Sequence, residues 1–194
     1  QTQFANDLAG TLTNSGLVLA DLQRLSEALD CYAEAATIRR DLVQKQSQTQ
    51  FANDLATTLN NQGAAFATLR RLPEALDCYA EAATIRRDLV QKQGQTQFAN
   101  DLATTLNNQG AAFADLRSLP KALDCYTEAA TIWRELVQKL GQMQFANDLA
   151  GTLTNQGTAL ARLQRLPDAL ACYADRKSTR LNSSHVSESR MPSS

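Results

Sequence analysis

Four cysteines are the residues of this sequence with the widest chemical repertoire, and their spacing limits what they can do. They stand 47 residues apart, at Cys31, Cys78, Cys125 and Cys172. None belongs to a C-x-x-C motif and none has a histidine nearby, so the spacing typical of a zinc site is absent. A disulfide needs Cα atoms within about 7 Å, whereas equivalent atoms of packed helices lie about 10 Å apart. We therefore predict packing cysteines, no metal site, and a reducing compartment, the cytoplasm.

Apart from the cysteines, the sequence contains few candidate catalytic residues. The one histidine is His185, and the sequence contains neither a G-x-S-x-G motif nor a glycine-rich phosphate loop. The Asp and Glu residues recur with the same 47-residue period, which is typical of solvated helix surfaces. We predict that the chain is not an enzyme and binds no cofactor.

A row of amides in register is the strongest indication of binding. An asparagine stands two residues before each of four equivalent glycines, at Asn14, Asn61, Asn108 and Asn155. In the two middle copies a second asparagine, Asn60 or Asn107, precedes it. Asparagine is a mediocre helix former, but its amide offers the donor and the acceptor that an extended peptide backbone requires. The sequence is equally compatible with amides that bond the neighbouring unit or water, and with amides that duplication has simply copied.

The whole sequence is built on this period. The segment Q-x-Q-F-A-N-D-L-A recurs with its phenylalanine at Phe4, Phe51, Phe98 and Phe145. The second and third copies are identical at 40 of 47 positions. We therefore predict a repeat array over residues 1–174. Its repeats span about 1–47, 48–94, 95–141 and, truncated, 142–174.

Each repeat is predicted to form two helices joined by a short loop, so neighbouring helices should be antiparallel. In the second copy the first helix extends over about 50–69, with one apolar face formed by Phe51, Leu55, Leu59 and Phe66. The second helix extends over about 73–91, because Pro73 suits a first helical turn. Arg86 is expected to face water, and Gly94 stands where a left-handed residue should end the helix.

These residues resemble the tetratricopeptide repeat, which has an aromatic or large residue, then x-x-L-G-x-x-Y, then A-x-x-x-F-x-x-A. The second copy reads Leu59-x-x-Gln62-Gly63-x-x-Phe66 and then Ala75-x-x-x-Tyr79-x-x-Ala82. Leu replaces the usual Trp, Gln replaces the usual Leu, and the unit is 13 residues longer than the usual 34. The longer unit resembles those of kinesin light chains and bacterial signalling proteins and indicates helices extended away from the loop. The resemblance implies an all-α solenoid of antiparallel helix hairpins in a right-handed superhelix.

The resemblance also implies where a ligand would bind. In this family the exposed residues of the first helices line a concave groove, and the amide row is similar to the asparagine ladder of O-linked GlcNAc transferase. Only Arg162 is basic among the groove positions, so a clamp for a C-terminal carboxylate is not expected. The predicted peptide-binding residues are Asn14, Asn60, Asn61, Asn107, Asn108, Asn155, Thr57, Thr104 and Asp115.

The repeat pattern stops at Ala174. Where the other copies read Glu-Ala-Ala-Thr-Ile, this copy reads Asp-Arg-Lys-Ser-Thr, and residues 175–194 are rich in Ser and Arg without an apolar period. The composition predicts a disordered tail. The tail also resembles translated sequencing-adapter DNA, which predicts that it is not native; a native basic tail is the alternative.

Composition restricts the class of binding partner. Lys and Arg number 19 against 20 Asp and Glu, so there is no bulk attraction to nucleic acid or anionic lipid. No apolar run approaches the roughly 18 residues of a membrane span. We therefore predict a scaffold that binds a protein or peptide. Two alternatives stay open: a sensor arm of a larger signalling ATPase or protease, and a structural spacer without a ligand. The sequence does not predict the oligomeric state.

Overall fold

The computed structural model describes residues 2–45 and 49–188, with side chains up to Thr179. In this part of the chain eight α-helices follow one another and no strand occurs. They are α1 (Thr2–Asp21), α2 (Leu25–Arg40), α3 (Ala52–Thr68), α4 (Leu72–Arg87), α5 (Ala99–Asp115), α6 (Leu119–Arg134), α7 (Ala146–Arg162) and α8 (Leu166–Glu188). Consecutive helices pair into four hairpins, and each second helix packs on the first helix of the next hairpin. The predicted all-α solenoid is confirmed.

A left-handed residue joins the two helices of each hairpin. In the second hairpin Arg70 has φ of 60°, and the Arg71 N–H donates to the Phe66 carbonyl at 2.9 Å. This bond satisfies a carbonyl that the end of α3 leaves free. Helix α4 then begins at Leu72, and Pro73 occupies its first turn as predicted.

The extra length of the repeat lies between hairpins, away from the loop, as predicted. Helix α4 continues over Asp88–Lys92 as a wider π-helical turn, in which the Gln93 N–H donates to the Asp88 carbonyl at 3.2 Å. Gly94 then adopts φ of 67°, the left-handed conformation predicted for it. A 3₁₀ turn at Thr96–Phe98 leads into α5.

Glycine lets the two helices of a hairpin approach closely. A Cβ atom on Gly63 would lie 2.7 Å from Cε1 of Tyr79, whose side chain is buried against Ala75 and Leu72. The same contact recurs in the other hairpins, as Gly16 with Tyr32, Gly110 with Tyr126, and Gly157 with Tyr173. The glycine of the repeat motif is therefore required by packing.

Burial of these tyrosines makes stability depend on pH. Desolvation raises the pKa of Tyr32, Tyr79 and Tyr126 to about 12, whereas a solvated phenol titrates near about 10. Their contribution is fully present below pH 10 and is lost as the pH rises towards 12, because the unfolded chain ionises first. We expect the urea midpoint to fall between pH 9 and pH 11, and to fall less in Tyr79→Phe. A midpoint that does not change over this range would contradict the burial.

Helix α8 does not end where the repeat pattern ends. It continues to Glu188, the Arg134 guanidinium contacts the Asp175 carboxylate at 2.8 Å, and Thr179 is buried. Residues 175–188 contain neither proline nor glycine, so nothing in them breaks the helix that 166–174 begin. In the structure residues 175–188 continue α8, residues 189–194 lie outside the described residues, and the disorder of the tail stays a prediction. That the segment is not native stays a prediction.

Candidate functional site

The amides of the first helices bond one another across hairpins. Asn108 Nδ2 donates to Asn60 Oδ1 at 3.3 Å, and Asn155 Nδ2 donates to Asn107 Oδ1 at 3.2 Å. Thr152 Oγ1 donates to the same Asn107 oxygen at 3.1 Å. We call these four asparagines, together with Asn14 and Asn61, the amide row. The alternative in which the amides tie neighbouring hairpins together is thus realised for Asn108 and Asn155.

Two predicted site residues have no such partner. The position that would pair with Asn61 is held by Thr13, whose shorter side chain bonds Ala9 and Thr58 instead. Asn61 is half-buried and Asn14 is exposed, and neither side chain makes a hydrogen bond within the described part of the chain. Both amides are therefore available to a ligand.

Each hydrogen-bonded pair of asparagines also has amide atoms without a partner in the protein. Every buried side-chain nitrogen and oxygen among the described residues has a hydrogen-bond partner. The amide nitrogens of Asn60 and Asn107 and the amide oxygens of Asn108 and Asn155 have no partner among the described residues, so they are not buried and are reached by solvent. Each pair presents a donor from the earlier hairpin and an acceptor from the later one.

Thr57 and Thr104, both predicted to bind peptide, have structural contacts. Thr57 Oγ1 donates to the Asn53 carbonyl and accepts a bond from Arg86 Nη2 at 2.9 Å. Thr104 Oγ1 donates to the Asn100 carbonyl at 3.0 Å, as threonines in helices commonly do. Both side chains are half-buried, so each exposes only part of its surface beside the amide row.

Asp115 belongs to an exposed ion pair. Its carboxylate contacts Arg70 Nη1 at 2.6 Å, which links the loop of the second hairpin to the end of α5. Beside it a cavity of about 250 Å³ opens between α5 and α7, where Tyr126, Asn155 and Arg162 form part of the wall. The structure thus brings Asp115 and Asn155 together at one cavity.

Arg86 does not face water, and this prediction was wrong. Its side chain is 4% exposed, and it joins three helices. It donates to Asn53 Oδ1, Thr57 Oγ1, Thr105 Oγ1 and the Asp101 carbonyl. A guanidinium with five donors can be buried when acceptors surround it in this way.

The position that Arg86 occupies in its repeat also holds a buried, hydrogen-bonded side chain in the first and third hairpins. Arg39 is buried and donates to Asn6, Thr13, Thr58 and the Asp54 carbonyl. In the third hairpin Trp133 takes this place and donates its indole N–H to Asn100 Oδ1 at 2.8 Å. The replacement of arginine by tryptophan was a signal in the sequence, since a solvated position gains nothing from a large indole.

The cysteines are not assembled into a reactive site. All four thiols are free and half-buried, and Cys78 Sγ lies 3.7 Å from Gln62 Oε1. Burial raises the pKa of Cys78 and Cys125 to about 11, so both stay protonated at neutral pH. Among the described side chains, those of residues 2–45 and 49–179, no cluster of His, Cys, Asp and Glu could hold a metal ion. No helix within residues 2–45 and 49–188 is long and apolar enough to cross a membrane.

Comparison with known proteins identifies the hairpins. The family model described as tetratricopeptide repeat matches residues 8–48 and 55–93. The first two hairpins are tetratricopeptide repeats. Tetratricopeptide repeats generally mediate contacts between proteins, and proteins built from them are generally scaffolds without catalytic activity. No protein of curated function matches the sequence.

Two solved structures share the tetratricopeptide solenoid. BtubC (BKLC) from P. vanneervenii is 24% identical over 96% of this chain and 67% of its own, with a TM-score of 0.72. MamA is 14% identical over 91% of this chain and 81% of its own, with a TM-score of 0.64. At these identities the likeness establishes the fold alone.

Proposed function

We propose that this protein holds an extended segment of a partner protein along the amide row. The observation that supports this most is the pair of linked amides, Asn60 with Asn108 and Asn107 with Asn155, whose remaining donors and acceptors face solvent. Linking fixes the orientation of each amide before a ligand arrives. Fixed groups lose less conformational freedom on binding than free side chains do.

The spacing of the pairs suits a peptide backbone. Neighbouring packed helices lie about 10 Å apart, and an extended chain advances about 3.3 Å per residue. One amide pair would therefore meet about every third residue of the bound segment. The donor and the acceptor of a pair match the N–H and C=O that such a residue carries.

The surroundings favour contact with the main chain over contact with large side chains. Ala64 and Ala111 are exposed one residue after the repeat glycines, and Ala114 lies at the cavity between α5 and α7. Small side chains let a peptide approach the amides closely.

Replacing Asn61 by alanine should separate binding from stability. The Asn61 side chain makes no hydrogen bond within the described chain, so its removal should leave the free energy of unfolding unchanged or slightly higher, since alanine is the better helix former. Affinity should fall about two- to tenfold, because one hydrogen bond is worth about 0.5–1.5 kcal/mol. The measurement is fluorescence anisotropy with a peptide selected on the wild-type protein from a random peptide library.

Asn108→Ala is the matched comparison. It removes the bond to Asn60 as well as the ligand contact, so it should lower both affinity and, by up to about 1 kcal/mol, stability. Leu140→Ala, remote from the amide row, should change neither. If the affinity for the selected peptides were the same in both asparagine variants as in the wild type, the amide row would serve only to link neighbouring hairpins.

We also propose a reducing compartment, the cytoplasm, for this protein. The four thiols are free, and none forms a disulfide in the structure. Disulfides are rare where thiol reductants are abundant, so unpaired thiols in this number suit such a compartment.

A further inference from the structure

A cavity of about 540 Å³ lies between α6 and the hairpin of α7 and α8. Leu123 and Leu160 belong to its apolar wall, and Asp124 and Arg165 belong to its polar wall. Ligand pockets commonly have volumes of about 300–1,000 Å³. No asparagine of the amide row lines this cavity, so it is a separate candidate site.

The cavity is open because of where it lies in the repeat. The equivalent cavity between the first and second hairpins has a volume of about 270 Å³, and it stays open although two more hairpins follow. The third hairpin has a neighbour on each side, yet its Leu116 and Lys121 are exposed. They are equivalent to Leu163 and Asp168, which line the larger cavity. A further hairpin after α8 would therefore leave the cavity accessible.

The second and third hairpins place an aromatic ring and a cation together at this position. Phe66 lines the smaller cavity, and the Arg71 guanidinium lies 4.5 Å from the centroid of its ring. In the third hairpin Ser118 replaces the arginine, and Lys121 lies 5.5 Å from the centroid of the Phe113 ring instead. The negative face of an aromatic ring attracts such a cation.

The fourth hairpin has the cation without the ring. Leu160 stands where the second hairpin has Phe66, whereas Arg165 stands where it has Arg71. Arg165 Nε donates to the Asp168 carboxylate at 2.8 Å, which holds the guanidinium beside the cavity. An aromatic ring in the cavity would therefore meet a cation that is already in position.

We propose that this cavity, which we call the ring site, binds one aromatic side chain of a partner protein next to Arg165. The ring would take the place that Phe66 and Phe113 occupy in the inner hairpins. The Asp124 carboxylate makes no hydrogen bond or ion pair within the described chain, so it can accept a main-chain N–H of the partner. This acceptor favours a polypeptide over a free aromatic molecule. The proposal does not depend on the amide row.

The test is binding of N-acetyl-phenylalanine amide to the full chain, followed by amide chemical shifts in NMR spectra. The compound should bind with a Kd of about 1 mM, which suits a ligand of this size, and should shift amide signals of α6 and α8. N-acetyl-cyclohexylalanine amide has a similar shape without an aromatic face. It should bind about two- to fivefold more weakly, because it lacks the attraction to the guanidinium.

Leu160→Phe gives the decisive result. It supplies the ring that the second and third hairpins carry, so the variant should fold and should no longer bind the phenylalanine amide detectably. Leu140→Phe is the matched control, since it adds the same ring at a position that is 59% exposed and outside the cavity, and it should bind like the wild type. Arg165→Gln should weaken binding of the phenylalanine amide about two- to fivefold and leave that of the cyclohexylalanine amide unchanged.

Circular dichroism checks that each variant is folded, and toluene tests the ring without a main chain. A wild-type protein that does not bind the phenylalanine amide, unchanged binding in Leu160→Phe, or equal affinity for the two amides would overturn the proposal. Toluene that binds as tightly as the phenylalanine amide would also overturn it, because the ring site would then suit a free aromatic molecule.

Discussion

Replacing Arg86 by alanine is expected to lower the free energy of unfolding by about 2–5 kcal/mol, since hydrogen bonds to charged groups and buried polar contacts are each costly to break. The guanidinium is 4% exposed and bonds acceptors on α3 and α5. Alanine would leave the Asn53 and Asp101 oxygens without this donor and would open a cavity between three helices. Urea unfolding followed by circular dichroism measures the change.

The neighbouring arginine and the third hairpin provide the controls. Arg87 forms a half-exposed pair with Glu128, so Arg87→Ala should cost no more than about 1 kcal/mol. Arg86→Trp should lose less stability than Arg86→Ala, because Trp133 fills the equivalent place and bonds Asn100. Equal losses for Arg86→Ala and Arg87→Ala would refute the structural role of the buried guanidinium.

The second large effect concerns the glycine of the repeat motif. Gly110→Ala should lower stability by about 1–3 kcal/mol, as overpacking of a core usually does. The new Cβ would lie 2.7 Å from Cε1 of Tyr126, and this ring is 3% exposed and cannot turn away freely. Thermal unfolding of the variant is the measurement.

Gly151→Ala is the opposite case in the same fold. Gly151 lies inside α7, and a Cβ atom there would meet nothing within 4 Å. The substitution should raise stability by about 0.5–1 kcal/mol, because alanine loses less backbone entropy in a helix than glycine does. If both glycine variants moved stability in the same direction, the contact between Gly110 and Tyr126 would not be the cause.

The backbone conformation could be predicted where a single residue type, such as proline or glycine, determines it. A 47-residue period, apolar faces and Pro73 at a first turn indicated the hairpins, and Gly94 marked the end of α4 correctly. The four loops depend instead on a left-handed residue that is not glycine, such as Arg70 or Gln164. Composition gives no sign of such a residue, because neither arginine nor glutamine favours that conformation.

The candidate site was harder to predict for a related reason. The sequence showed that Asn60 and Asn108 recur in register, but not that they meet, since the bond depends on how far one hairpin is displaced from the next. Arg86 looked solvated because arginine usually is. Only the acceptors gathered around it from α3 and α5, which are distant in sequence, make its burial possible.

The main contacts between helices of the described residues join a hairpin to itself or to its neighbour. The described residues therefore form a linear array in which each hairpin is held by the hairpins next to it. Tension applied along the axis would extend such a molecule stepwise, one hairpin at a time from an end. A scaffold of this kind resists a pulling partner with the strength of one interface, however many hairpins it contains.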